Sequence, residues 1–279
     1  MNEKPLVSII TVCYNSEKVI SSALESVLQQ SYKNIEHIVI DGLSQDNTLT
    51  IIKEYEPLYE GRMVIVSEKD EGIYDAINKG IKLAKGSIIG ILNSDDWYTE
   101  EAIEKIIQNY EGSVDIYHGN INKVRVVGNC YYTQHQIPGD LSSLTKLMSI
   151  NHSSCFVTRQ WYEKKMYDTA YKIAADYKFI LESYLEGAKF KYIDYCFTYM
   201  RIWGASSSNI KTILEGYSIR KELLGKNQVV KLCRDAAIFY YYRLRKLIAC
   251  IILPKKFFEQ YEIKKWERID FENVKDSRR

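Results

Sequence analysis

The sequence predicts an α/β fold built on a mainly parallel, doubly wound sheet, and three observations carry that reading. Four short, β-branched apolar runs alternate with stretches of helical periodicity through the first hundred residues. The runs are mostly apolar and do not alternate strictly with polar residues, as is usual of strands covered on both faces. Three of them end in polar clusters, and ligands of such sheets bind beyond the carboxyl ends of the strands.

Taken in order, Leu6 to Val12 reads as the first strand. Asn15-Ser16 is the expected cap of a helix whose apolar residues Val19, Ile20, Ala23, Leu24, Val27 and Leu28 recur at helical spacing. Ile35 to Ile40 is a second strand ending at Asp41-Gly42, and Asp46-Asn47-Thr48 caps a helix to about Tyr55. Met63 to Val66, a helix from Ile73 to Ala84, and Ser87 to Leu92 complete the βαβαβαβ series, which closes on Asn93-Ser94-Asp95-Asp96. From Thr99 to Asn209 the pattern is mixed. Glu100 to Tyr110 and Ala175 to Tyr184 look helical, and Val114 to Tyr117 and Lys189 to Ile193 look strand-like. From Lys211 onward the chain reads as consecutive helices with basic-aromatic faces. The first turn lacks G-x-G-x-x-G, which disfavours a dinucleotide site.

With 279 residues, 46% hydrophobic and 27% charged, disordered, collagen-like and disulfide-stapled classes are excluded. The net charge of +2 conceals a division. Residues 226 to 279 carry 14 Lys+Arg against 7 Asp+Glu, and the remainder carries 24 against 29, so a basic tail follows an acidic body. None of the six cysteines forms C-x-x-C or has a His at zinc-finger spacing, so a zinc cage is not expected. The opening residues lack the charged and apolar regions of a signal peptide, and a reduced, cytoplasmic protein is expected. Ala236 to Leu253 is the nearest approach to a spanning helix, but Arg243, Arg245 and Lys246 interrupt it.

Asp95-Asp96 supports two readings. Adjacent carboxylates at a strand's carboxyl end suit a hard divalent cation that also holds a diphosphate, and acids also favour a helix N-terminus. Asp41 is either a turn residue or an acceptor for a pyrimidine N–H.

The ordered segments VSIITVCYN (7–15), SALESVLQQSY (22–32), IVIDGLSQDNT (38–48), DEGIYDAINKG (70–80) and GSIIGILNSDDW (86–97) together resemble the nucleotide-binding half of family 2 glycosyltransferases with the GT-A fold. The likeness continues more weakly through IAADYKFILE and YMRIWGASS. It implies residues 1–98 as the nucleotide-sugar-binding half, 99–210 as the acceptor-side half of the same domain, and 211–279 as a helical extension. It further implies an inverting, metal-dependent transferase using Mn²⁺ or Mg²⁺ and a nucleoside-diphosphate sugar, with UDP as the default. The acceptor would be a saccharide, carried on a polyprenyl diphosphate, in surface polysaccharide assembly.

By the same resemblance Tyr14 packs on the uracil, main chain near Thr11 and Asn15 lines the pocket, and Asp41 bonds the base. Asp70, Asp75 and Asn78 border the nucleotide or donor sugar. Asn93 stands where the family often has an acid, so metal binding rests on Asp95 and Asp96. Asp176 takes the place of the general base, with a helix cap as the alternative. Arg201 is a candidate phosphate partner or a surface cation, and His152 and Trp203 are candidates for donor or acceptor contact or for structural roles.

Residues 236–260 interleave aromatics, cations and an apolar run. They suit a bilayer interface on the cytoplasmic face, or packing on the body with a solvated charged face. No nucleic-acid signature accompanies them, so no nucleic acid partner is expected. Two other classes compete with the transferase. A nucleotidyltransferase predicts a glycine-rich, basic loop after the first strand, which Val12 to Ser16 is not, and a non-catalytic scaffold predicts erosion of the acids, all of which are present.

Overall fold

The computed structural model describes residues 4–127, 130–202, 210–225, 229–252 and 266–269. Its first part is the expected alternation: β1 (Val7–Cys13), α1 (Ile20–Leu28), β2 (Ile35–Asp41), α2 (Thr48–Tyr55), β3 (Met63–Ser67), α3 (Ile73–Leu83) and β4 (Ile88–Asn93). All seven residues of β1 and of β2 are buried, which is why these strands are largely apolar and their polar members Ser8 and Glu36, and Thr11 and His37, pair with each other. The four strands are parallel in the order β3-β2-β1-β4. Cys13 is level with Asp41, Asp41 with Ser67, and Val12 with Asn93, so the carboxyl ends form one row.

Side chains leave β1 alternately toward two cores. Ile10 and Val12 pack with Tyr74, Ile77 and Ile81 of α3, and Val7 and Ile9 pack with Ala23, Leu24 and Val27 of α1. Thr11 is also buried. Its hydroxyl meets His37 Nε2 at 2.8 Å, and His37 Nδ1 meets the Tyr59 hydroxyl at 2.9 Å. Burial lowers the His37 pKa to about 3, so the imidazole in this core network is neutral.

The second part differs from the sequence expectation. After β5 (Trp97–Tyr98) and α4 (Ala102–Gln108), the Val114 to Tyr117 run begins the twelve-residue β6 (Ile116–Val127), which forms an antiparallel pair with β7 (Cys130–Gln136). Next come β8 (Phe156–Thr158), α5 (Arg159–Lys164), α6 (Ala175–Leu185) and the twelve-residue β9 (Phe190–Arg201). β8 joins β4 to β6 by antiparallel pairing on both sides, so one sheet runs through the described residues in the order β10-β7-β6-β8-β4-β1-β2-β3. β9 lies parallel to β6 with a register shift at Gly119 and Asn120, and it also pairs β5. Gly119 is required there: a Cβ would stand 2.6 Å from the Ile193 carbonyl and 2.4 Å from the Phe197 ring.

The tail holds two helices, α7 (Ile210–Leu224) and α8 (Val229–Ile252), but it is not wholly helical. β10 (Glu267–Ile269) returns to pair antiparallel with β7, and Arg125 of β6 lies 5.2 Å over the Trp266 ring beside it. Among the described residues no helix is long and apolar enough to cross a membrane. Cys13, Cys130, Cys155, Cys196 and Cys233 are free thiols.

Candidate active site at the carboxyl edge of the sheet

Tyr14 leaves the end of β1 and is 62% exposed. Its ring lies against Gly42, where a Cβ would sit 3.4 Å from Tyr14 Cδ2 and 3.0 Å from an Asp70 carboxylate oxygen. Tyr14, Gly42 and Asp70, from the ends of β1, β2 and β3, therefore meet at one place. Asp70 is paired with Lys79 of α3 at 2.6 Å, and Lys79 also reaches Glu68 at 2.9 Å and Asp75 at 3.4 Å. The Glu71 N–H, which Asp75 accepts at 3.1 Å, and Lys79 hold Asp75 below the usual carboxylate range.

Asp41 lies at the floor of this place with 0% exposure. Its carboxylate accepts the Ser67 hydroxyl at 2.6 Å, the Ser44 N–H at 3.2 Å and the Ser44 hydroxyl. Asn15 adopts φ +49°. It donates its N–H to Ser44 Oγ at 2.9 Å, and its side-chain oxygen accepts the Gln45 N–H at 2.8 Å. Both residues thus order the loop after β2. The Asn15-Ser16 cap expected for α1 takes another form: the Ser16 carbonyl accepts from the Val19 and Ile20 N–H groups. Asp46 does tie the start of α2, accepting the Thr48 N–H at 3.0 Å, and the Asn47 side chain donates to Glu17 instead.

The β4 loop is fixed to its neighbours on both sides. Ser94 Oγ lies 2.9 Å from Ser16 Oγ, and Asp96 accepts the Arg201 backbone N–H at 3.0 Å and the Asn93 amide at 3.4 Å. Asp96 is 1% exposed, whereas Asp95 is partly open. Burial pushes both carboxyl groups up, and the Asp95 charge adds to the rise at Asp96. The Arg201 guanidinium lies 5.0 Å over Trp97, which stacks on Tyr199 with ring centroids 5.3 Å apart. Arg201 Nη2 donates to Ser22 Oγ at 3.4 Å, while buried Nε has no partner among the described residues.

Asp176 lies in the first turn of α6, where it meets α3. Its Oδ1 accepts the Tyr74 hydroxyl at 3.0 Å and the Tyr177 N–H at 2.8 Å. Tyr74 and Asp75 are adjacent on α3, so this helix touches Asp176 with one residue and the Asp70–Lys79 group with the next. A shallow, roughly water-sized depression lies beside Tyr74, lined by Glu71 to Asp75 on one side and by Thr169, Tyr171 and Lys172 on the other. His152 meets the Tyr167 hydroxyl at 2.7 Å, and burial lowers its pKa against the opposing pull of Asp176. Asn78 spends both ends of its amide on the Tyr167 backbone, at 3.0 and 2.8 Å. Trp203 lies outside the described residues.

Sequence reasoning missed Tyr74, Lys79 and Ser67 as partners of the acids. The only signal was that Tyr74 and Lys79 stand within the quoted 70–80 segment.

The family model described as glycosyl transferase family 2 matches residues 8–184, which takes in the strand ends, the Asp95-Asp96 loop and Asp176. The chain belongs to glycosyl transferase family 2. Among relatives of this family, chondroitin synthase of Escherichia coli is 30% identical over 213 residues, covering 75% of this chain and 30% of that protein. The chain thus spans less than a third of that relative's length. S. aureus TarS in complex with UDP superposes with a TM-score of 0.59 at 19% identity, over 77% of this chain and 64% of that one. The Pyrobaculum calidifontis mannosyltransferase PcManGT, in complex with GDP-Man and Mn²⁺, superposes with a TM-score of 0.62 at 15% identity, over 81% of this chain and 66% of that one. These superpositions show the GT-A fold.

Proposed function

We propose that the protein is an inverting, metal-dependent glycosyltransferase that moves a sugar from a UDP-sugar to a saccharide acceptor in surface polysaccharide assembly. The observation that carries the reading is the level row of strand ends, which sets exposed Tyr14 beside Asp70, with Asp95-Asp96 following β4, the strand next to β1, on the same edge. Family membership and the likeness to a polysaccharide synthase and to a UDP-bound structure support it. In this reading residues 1–98 hold the donor, 99–210 face the acceptor, and 211–279 form the extension.

The donor set at the β4 loop fits a hard divalent cation, Mn²⁺ or Mg²⁺. It offers oxygen only, from two crowded carboxylates whose nearest described cation, Arg201, is engaged with Trp97. Asp95 and Asp96 would hold such an ion, which supplies neutralisation of the departing diphosphate. Tyr14 offers its ring to the base, Asp70 and Asp75 border the donor, and Arg201, whose buried Nε has no partner among the described residues, is the cation for the diphosphate. Asp41 and Asn15 shape the base loop through Ser44. Asp176 accepts the proton of the acceptor hydroxyl as that oxygen bonds the anomeric carbon and the bond to the diphosphate breaks on the opposite face.

The test is a thermal-shift panel of UDP, GDP, dTDP and CMP, each with and without Mn²⁺. Stabilisation by UDP that deepens with Mn²⁺ is expected, because a ligand of the folded state raises the melting temperature by mass action. No response to any nucleotide would leave the scaffold reading in its place.

The acceptor in this proposal is linked to a polyprenyl diphosphate, and the protein meets it at the cytoplasmic membrane face through residues 236–260. Of that segment, 253–260 lie outside the described residues. On α8, Ile238, Tyr240, Tyr241, Tyr242, Leu244 and Ile248 are exposed among the cations Arg243 and Arg245. Co-sedimentation with vesicles containing phosphatidylglycerol is expected, with little on neutral phosphatidylcholine, and Arg243→Glu with Arg245→Glu should abolish it. Equal binding by the double variant would remove the electrostatic part of the reading.

A further inference from the structure

We propose that Glu215 of α7 is a positioning residue for Asp176, acting through the turn that enters α6. This rests on the reading of Asp176 as the general base.

Three successive backbone amides converge on the Glu215 carboxylate. One oxygen accepts the Lys172 N–H at 3.1 Å, and the other accepts the Ile173 and Ala174 N–H groups, each at 2.9 Å. Ala174 is the N-cap of α6 and has no side chain to bond the amides left open at a helix start. The Glu215 carboxylate, brought from another helix, takes the Ala174 N–H at the helix start together with the two amides before it, and its charge is favourably placed against the helix dipole.

The other side of the same turn is held by the partner of Asp176. The Tyr74 hydroxyl reaches the Ile173 carbonyl at 2.8 Å and Asp176 Oδ1 at 3.0 Å. The Ile173 residue is therefore fixed at its N–H by Glu215 and at its carbonyl by Tyr74, three positions before Asp176. Glu215 itself touches neither Asp176 nor any residue of the nucleotide end in the contacts described. Its influence runs from the 172–174 amides to Tyr74 and Asp176. A glutamine does this work only in part: with its oxygen toward the Ile173 and Ala174 N–H groups, its amide nitrogen faces the Lys172 N–H, a donor against a donor.

α7 provides its own control. Glu222, two turns further on, accepts the Tyr171 hydroxyl at 2.6 Å and pairs with Lys178 of α6 at 2.5 Å, without touching the 172–174 amides. Glu215→Gln and Glu222→Gln both weaken the α6–α7 contact, but only the first disturbs the 172–174 turn.

The experiment compares these two variants with Asp176→Asn in two measurements. Amide hydrogen exchange on the full chain without ligands reads the turn. Turnover is read as UDP release from whichever of UDP-glucose, UDP-galactose, UDP-N-acetylglucosamine and UDP-glucuronate the wild type uses fastest, with a detergent extract of bacterial membranes as acceptor. In Glu215→Gln the 172–174 turn should exchange faster, most at the Lys172 amide and there by about tenfold, and kcat should fall about tenfold or more, with donor KM within about twofold, because misplacement of a reacting group is felt in kcat. Glu222→Gln should leave both the exchange of these amides and kcat near wild type. Unaltered exchange in Glu215→Gln, or a kcat no lower than that of Glu222→Gln, overturns the positioning role while the reading of Asp176 stands. Wild-type turnover by Asp176→Asn overturns that reading, and the positioning role with it.

Discussion

Asp176→Asn is expected to lower kcat by about 10²- to 10⁴-fold, the range that a positioned general base contributes, while leaving the fold intact. The substitution is close to isosteric. The amide oxygen can still accept the Tyr74 hydroxyl and the Tyr177 N–H, so the start of α6 keeps its bonds and loses only the basic lone pair. His152 is in no position to replace it, because its Nε2 is engaged with the Tyr167 hydroxyl. Donor KM should change little, since Tyr14, Asp70 and the β4 loop are untouched. Steady-state kinetics check this directly, and a variant retaining kcat within about threefold of wild type would return Asp176 to the role of a helix-start residue.

The second large effect is expected at Asp95. Asp95→Asn should keep the stabilisation given by UDP alone and lose the further increment given by Mn²⁺. If Mn²⁺–UDP is present at about 100 times its Kd, the full stabilisation is about 2.7 kcal/mol, which makes the loss easy to read as a melting temperature. Without ligand the variant should melt no lower than wild type. Two carboxylates crowd into a largely buried loop, and removing one relieves both desolvation and like-charge repulsion. A variant that loses ligand-free stability and keeps its Mn²⁺ response would show that Asp95 serves the loop and not an ion.

What was legible in the sequence follows burial. β1 and β2 are covered on both faces, so every position is apolar or has a buried partner, and the runs stand out. β6, β7 and β9 are only partly covered and carry Asn120, Asn122, Lys123, Gln134 and Asp194, which dilute any strand pattern. The bulge at Gly119 and Asn120 breaks the alternation that remained, so only the first residues of β6 were visible. β10 was hidden for another reason: three residues make no pattern of their own, and only pairing with β7 defines them.

In the candidate site, the acids at strand ends could be found because the strands themselves could be found. Their partners could not. Tyr74 lies 102 positions from Asp176, and Ser67 lies 26 from Asp41; only the folded chain brings each pair together. Sequence also gave no hint that Asp41 has its oxygens engaged by Ser44 and Ser67, or that Asn78 is spent on the Tyr167 backbone.

The return of the chain as β10 also bears on how the molecule behaves among copies of itself. β7 carries Tyr131, Tyr132 and Thr133, good strand formers, and uncovered it would present a row of open N–H and C=O groups to any passing strand. β10 occupies that row over these three residues. It is itself short, and its exposed Glu267 and Arg268 put opposite charges at the outer rim. A few residues from the far end of the chain thereby turn a template for aggregation into a blunt, charged margin.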